Sequence, residues 1–108
     1  MIPFEDFEKI DIRIGTIISA RNLKNARKPA FVLEIDFGTI GIKKSSAQIT
    51  MLYNKEKLIG KQILAVLNFP KKQIGSIQSE CLVLGSISSE GVILLSSKKQ
   101  VRNGEVVS

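Results

Sequence analysis

The sequence predicts an all-β barrel of five strands, with one short helix inserted between the third and fourth. Three observations carry that prediction. Apolar side chains recur at every second position over residues 10–18 and again over 31–37, the period of half-buried strands. Gly15 interrupts the first of these runs, which suits a bulge or sharp bend that lets one long strand pair with more than one neighbour. The alternation breaks at residues 50–60, where Met51, Leu52, Lys55, Leu58 and Ile59 suit one or two helical turns closed by Gly60.

The elements follow in order. Ile10, Ile12, Ile14, Thr16 and Ile18 alternate with Asp11, Arg13 and Gly15 in the first strand, and residues 21–29 form a loop ending in Pro29. Phe31, Leu33, Ile35 and Phe37 make the inner face of the second strand, opposite Glu34 and Asp36. Residues 38–41 turn the chain into a third strand over 41–49. After the helix come a fourth strand, 62–69, a loop, 70–80, a fifth strand, 81–87, and a hairpin partner, 91–96. Pro70 stops the fourth strand because it has no N–H to continue a ladder. This order is that of an OB-fold barrel; a meandering sandwich fits the inserted helix and the glycine-broken first strand less well. Residues 1–108 read as a single domain, with no repeat, linker or low-complexity segment, and with extensions at about 1–9 and 97–108.

Composition narrows the chemistry. The chain has no histidine and one cysteine, which removes the commonest general base, Ser-His and Cys-His pairs, and ordinary zinc ligation. No phosphate-binding glycine loop occurs, and Glu34 with Asp36 reads as a solvated strand face, so an enzyme, a metal site and a cofactor are not expected. Cys81 lies in an apolar run and reads as a small buried hydrophobe. No apolar run approaches the roughly 20 residues a membrane helix needs, and the acidic start is unlike a signal peptide. A cytoplasmic protein without membrane insertion is the expectation.

Charge points to a polyanion. The net charge is +6, and the whole excess falls in residues 43–72, where Lys43, Lys44, Lys55, Lys57, Lys61, Lys71 and Lys72 face Glu56 alone. In an OB barrel the loops after the first and fourth strands flank the binding face. The first carries Arg21, Lys24, Arg27 and Lys28 with no acid; the second carries Lys71, Lys72 and Gln73 against Glu80. Between them Arg13, Ser45, Ser46, Gln48 and Asn68 are candidates to supply donors and acceptors. Arg13 reads either as a ligand contact or as an ion-pair partner of Asp11 or Glu34, and Phe69 either as a stacking surface or as core. The single tyrosine, Tyr53, is expected on the helix. Aromatic residues are too few for a general single-strand platform, so a folded RNA read by shape and backbone fits better. A peptide-holding groove would need exposed apolar groups near these cations, and Phe69, Ile74 and Ile77 are placed to line one. A dimeric scaffold without a ligand would leave the loop charges unexplained.

The apolar residues of the two extensions, Ile2, Phe4 and Phe7 at the front and Val101, Val106 and Val107 at the back, have two readings. They cover an open edge of their own barrel, or they meet a second copy in a homodimer.

Several segments carry a family resemblance. Asn68-Phe69-Pro70 followed by Ile74-Gly75 and Ser79-Glu80, the opening Asp11-Ile12-Arg13-Ile14-Gly15-Thr16-Ile17, and Gly41-Ile42-Lys43-Lys44-Ser45-Ser46-Ala47-Gln48-Ile49 resemble the tRNA-binding domain attached to some methionyl-tRNA synthetases. With Phe4-Glu5-Asp6-Phe7-Glu8-Lys9 at the start, the chain is most similar to the CsaA type of that family, over about residues 4–104. The resemblance implies binding of tRNA or other structured RNA, a homodimer, and a chaperone role towards unfolded export precursors and the secretion machinery. An alternative is a chaperone for secretory preproteins with no RNA role. Family members usually follow the Ser-Glu pair with glycine and methionine, where this chain has Cys81-Leu82.

Overall fold

β1 (Ile12–Asn22) is the longest element of the computed structural model, which describes residues 1–108, and three other strands pair with it. Residues 16–22 of β1 run antiparallel to β2 (Phe31–Asp36), and residues 12–16 run antiparallel to β4 (Gln62–Val66). β3 (Ile42–Ala47) pairs with β2, and β7 (Leu82–Val83) pairs with β4, giving the order β3-β2-β1-β4-β7. Two hairpins stand outside this path: β5 (Lys72–Ile74) with β6 (Ile77–Ser79), and β8 (Gly85–Ser88) with β9 (Gly91–Leu94). The nearly closed sheet and its single helix between β3 and β4, α2 (Lys55–Leu58), make an all-β barrel of the OB type.

Ile17, Leu33, Ile35, Phe37, Ile63 and Ala65 fill the barrel, and Leu58 enters from α2. A Cβ on Gly15 would lie 2.7 Å from Ile35 Cγ2 and from Phe37 ring atoms, so glycine is what lets these two side chains lie against the strand. The expected bend falls elsewhere: pairing with β2 slips between Ile17 and Ser19. The strict alternation therefore fails. Ile14 and Ile17 are buried while Ile10 and Ile18 are exposed, because the inward face changes frame along the strand.

Four other expectations need correction. The helix is confined to residues 55–58, capped by the Asn54 side chain, which accepts from Glu56 N at 3.1 Å. Tyr53 precedes it and is tied elsewhere, its hydroxyl accepting from Leu94 N at 3.0 Å. The segment 70–80 is not a plain loop but carries the β5–β6 hairpin, and the fifth strand is divided between β7 and β8. In both places short pieces with special backbone positions replace one regular run, with Gly75 in the left-handed region at φ 55°.

The C-terminal extension pairs with the barrel, whereas no residue of the N-terminal helix is buried. The short helix α1 (Phe4–Glu8) brings Phe4 and Phe7 within 6.1 Å between ring centroids. At the other end β10 (Val106–Val107) pairs with the start of β1. The buried Gln62 side chain holds the preceding segment, donating to Val101 O at 2.8 Å and accepting from Val101 N at 2.9 Å. No helix is long and apolar enough to cross a membrane.

Candidate nucleic-acid interface

The β5–β6 hairpin and the loop between β1 and β2 meet at one point. A Cβ on Gly75 would stand 2.9 Å from Lys24 O and 3.1 Å from Asn25 O, so the tip of the hairpin rests on the loop backbone. Their junction opens into a cavity of about 350 Å³ lined by Arg27, Lys28, Ser46, Gln48, Gln73 and Ile74, among others. A second hollow of about 220 Å³ adjoins it and shares Ser46 and Ile74. Phe69, Lys72, Ser79, Glu80 and Leu82 line that second part. Phe69 is 51% exposed, which settles its two readings in favour of the surface. The result is one groove across β3, cationic at the Arg27–Lys28 end and apolar at the Phe69–Leu82 end.

The hairpin is clasped to β3 by Ser79 and Glu80. Glu80 N donates to Lys44 O at 2.8 Å, and Lys44 N donates back to Glu80 Oε1 at 2.8 Å. Ser46 N donates to Ser79 Oγ at 3.2 Å. Side chains thus continue the β3 ladder where a regular partner strand is missing. The Lys44 N–H above all, with Lys71 and Lys43 nearby and against the opposing effect of burial, holds the Glu80 carboxyl below its ordinary value of 4.5. Lys71 Nζ is 3.6 Å from Glu80 Oε2, so part of its charge is spent within the chain, whereas Lys72 lines the groove. Burial foremost, and then the Glu80 charge, pushes the Cys81 thiol up to about 12.

The structure does not gather every candidate here. Ser45 is fully buried, because its position on β3 points inward, so it presents nothing to a ligand. Ile77 is likewise buried and cannot line the groove. Arg13 Nε donates to Asp11 Oδ1 at 2.6 Å and its Nη1 to Gly104 O at 3.0 Å, fixing it beside the C-terminal extension in the ion-pair reading. Asn68 is occupied as well: its Oδ1 accepts from Asp11 N at 2.9 Å and its Nδ2 donates to Lys9 O at 2.7 Å, anchoring the N-terminal segment. Arg21 continues β1, and Lys24 is exposed on the loop. Lys43 and Lys44 are half-buried on β3 beside the clasp. Among the dimer candidates, Ile2 and Phe4 are 75% and 69% exposed, Val106 is exposed, and Phe7, Val101 and Val107 are half-buried. Leu82 and Pro70 line the groove without having been singled out; Leu82 escaped because it reads as an interior strand residue, yet it is 49% exposed.

Known proteins share this architecture. The family described as "Putative tRNA binding domain" matches residues 12–106. The structure of the chaperone CsaA from Bacillus anthracis is 51% identical over 100% of this chain and 99% of its own, with a TM-score of 0.95. The CsaA chaperone protein from Picrophilus torridus is 50% identical, with full coverage of both chains and the same TM-score. The methionine–tRNA ligase of Methanococcoides burtonii is 32% identical over 108 residues; the chain spans 99% of itself but 16% of that ligase. With a match over nearly all of its length and two full-length neighbours at half identity, the chain belongs to the tRNA-binding domain family and, within it, to the CsaA group.

Proposed function

We infer that the chain is a non-catalytic binding protein that holds structured RNA, tRNA by its family, in the groove across β3. The observation that carries this reading is the docking of the cationic β1–β2 loop against the β5–β6 hairpin, with Arg27 and Lys28 on one of two adjoining hollows and Lys72 on the other. Lysine and arginine there meet phosphates and give affinity and register, while Ser46, Gln48 and Gln73 supply hydrogen-bonding groups and Phe69 an apolar face. The test is a tRNA titration against salt concentration. Arg27→Ala with Lys28→Ala should weaken binding and flatten the salt dependence by roughly one unit of slope per lost contact. Lys72→Ala should cost more than Lys71→Ala, since Lys71 already faces Glu80. Unchanged affinity and slope in all of these variants would refute the assignment.

A second ligand for the same groove is supported by its apolar end. Phe69 and Leu82 are half exposed beside Ile74, and two full-length structural neighbours are chaperones by name. We propose that unfolded export precursors lay apolar residues there, so that tRNA and polypeptide compete. Simultaneous binding without competition would separate the two sites. We further propose that the protein works in the cytoplasm as a homodimer through Ile2, Phe4 and Val106, all exposed; Phe4→Asp should shift its sedimentation to that of a monomer.

A further inference from the structure

A second basic hollow lies away from the groove and shares no lining residue with it. It measures about 290 Å³ and is bounded by Gly60–Ile63, by Tyr53 and Leu94, and by residues 96–100. Lys61, Lys98 and Lys99 line it, all three exposed, and no carboxylate does. None of the three is in an ion pair; the salt bridges of the chain are Lys9–Asp6, Arg13–Asp11 and Lys71–Glu80. The walls are fixed rather than loose. Gln62, 6% exposed, ties the segment after the lysines to β4 through both of its bonds to Val101. Tyr53 closes another side with its oxygen accepting from Leu94 N, and its own proton has no acceptor within the chain. Three lysines outside any ion pair and a spare hydroxyl donor line a space at the lower edge of that used for small ligands. Donors of this kind, with no carboxylate among them, suit the oxygens of a phosphate or pyrophosphate group.

We propose that this hollow is a second phosphate-binding site, which takes the backbone of an RNA whose other contacts lie in the groove. The proposal rests on the RNA-binding reading above and adds to it a separate contact surface. Its presence explains why Lys98 and Lys99 sit where the chain folds back over β4 although the C-terminal third carries no net charge. Two measurements on the full chain test it. Inorganic pyrophosphate, followed by amide NMR, should shift Gly60–Ile63 and residues 96–100 and leave Gln73 and Ile74 in place. Replacing Lys61, Lys98 and Lys99 together by Gln, which keeps side-chain length and removes the charge, should abolish those shifts. The same variant should lower tRNA affinity about tenfold at physiological salt and reduce the salt slope by roughly one to two units. Pyrophosphate shifts confined to the groove would overturn the proposal. So would full wild-type tRNA affinity and slope in the triple variant, which would leave at most a site for free phosphate. Failure of the underlying function would look different: wild type itself would not bind tRNA. Circular dichroism of the triple variant guards against misfolding, and Lys98→Gln alone, on an exposed segment, gives a smaller loss of the same sign.

Discussion

Removing the Glu80 carboxylate separates the clasp from simple electrostatics, because the two predict opposite signs. Glu80→Ala leaves Lys44 N–H without its 2.8 Å acceptor and breaks the contact with Lys71. A hydrogen bond to a charged acceptor whose loss strands a donor is worth about 1.5–3 kcal/mol. The ion pair adds less than about 1 kcal/mol, since Lys71 is 60% exposed. A total of about 2–3 kcal/mol corresponds to a fall in Tm of roughly 10–20 °C for a domain of this size. Glu80→Gln keeps an acceptor oxygen and should cost under about 1 kcal/mol. Because the folded carboxyl titrates below its ordinary value of 4.5, its contribution is present above that pH and is lost as pH falls through the folded value. The gap in stability between wild type and Glu80→Gln should therefore close on acidification. On tRNA, the loss of a negative charge by itself strengthens binding to a chain already at +6. A loosened hairpin weakens it, by moving Lys72, Gln73 and Ile74 away from Ser46. Urea denaturation and a tRNA titration at fixed salt read both effects. An unchanged midpoint, or tighter binding by Glu80→Ala, would refute the clasp.

Gly15→Ala forces a methyl group to within 2.7 Å of Ile35 and Phe37 and should destabilise by about 1–3 kcal/mol in urea titration, with the β1–β2 amides the most weakened in hydrogen exchange. Gln62→Leu removes both bonds to Val101 and should free the C-terminal segment; limited proteolysis should cut after Lys98, Lys99 or Arg102 faster than in wild type. Cys81 should resist alkylation in the folded state. With its thiol pushed up to about 12, the thiolate fraction at pH 8 is on the order of 10³-fold below that of a thiol at 9, and labelling as fast as in the urea-unfolded chain would contradict this.

The barrel was legible where a single strand face decides the pattern. Phe31, Leu33, Ile35 and Phe37 read correctly as one inward row, and all four are buried. The first strand misled because a register slip is set by what pairs across it, and alternation within the strand carries no trace of that partner. The same limit hid the clasp. Ser79 and Glu80 stand out in the sequence, but their partners are backbone groups of Lys44 and Ser46, more than thirty residues away and indistinguishable from any other amide. Asn68 looked like a free polar group for the same reason: its partners, Lys9 O and Asp11 N, are backbone groups of a kind that nearly every residue carries. For Arg13 the pair with Asp11 was one of two readings, and only its second partner, Gly104 O, was hidden.

Charge shows how far a window of sequence departs from a surface. The seven lysines of residues 43–72 form one block in the chain, and the fold disperses them. Lys43 and Lys44 lie on β3, Lys55 and Lys57 on α2, and Lys71 and Lys72 at the hairpin, of which only Lys72 lines the groove. Lys61 goes to the other hollow, where it meets Lys98 and Lys99 from a stretch whose net charge had suggested nothing. The groove in turn draws Arg27 and Lys28 from residues 1–36, a stretch that is neutral as a whole. Fields decay within about 8–10 Å at physiological salt, so a phosphate responds to cations gathered by the fold and not to those adjacent in sequence. The two basic loops were informative because barrel topology, and not composition, brings them together.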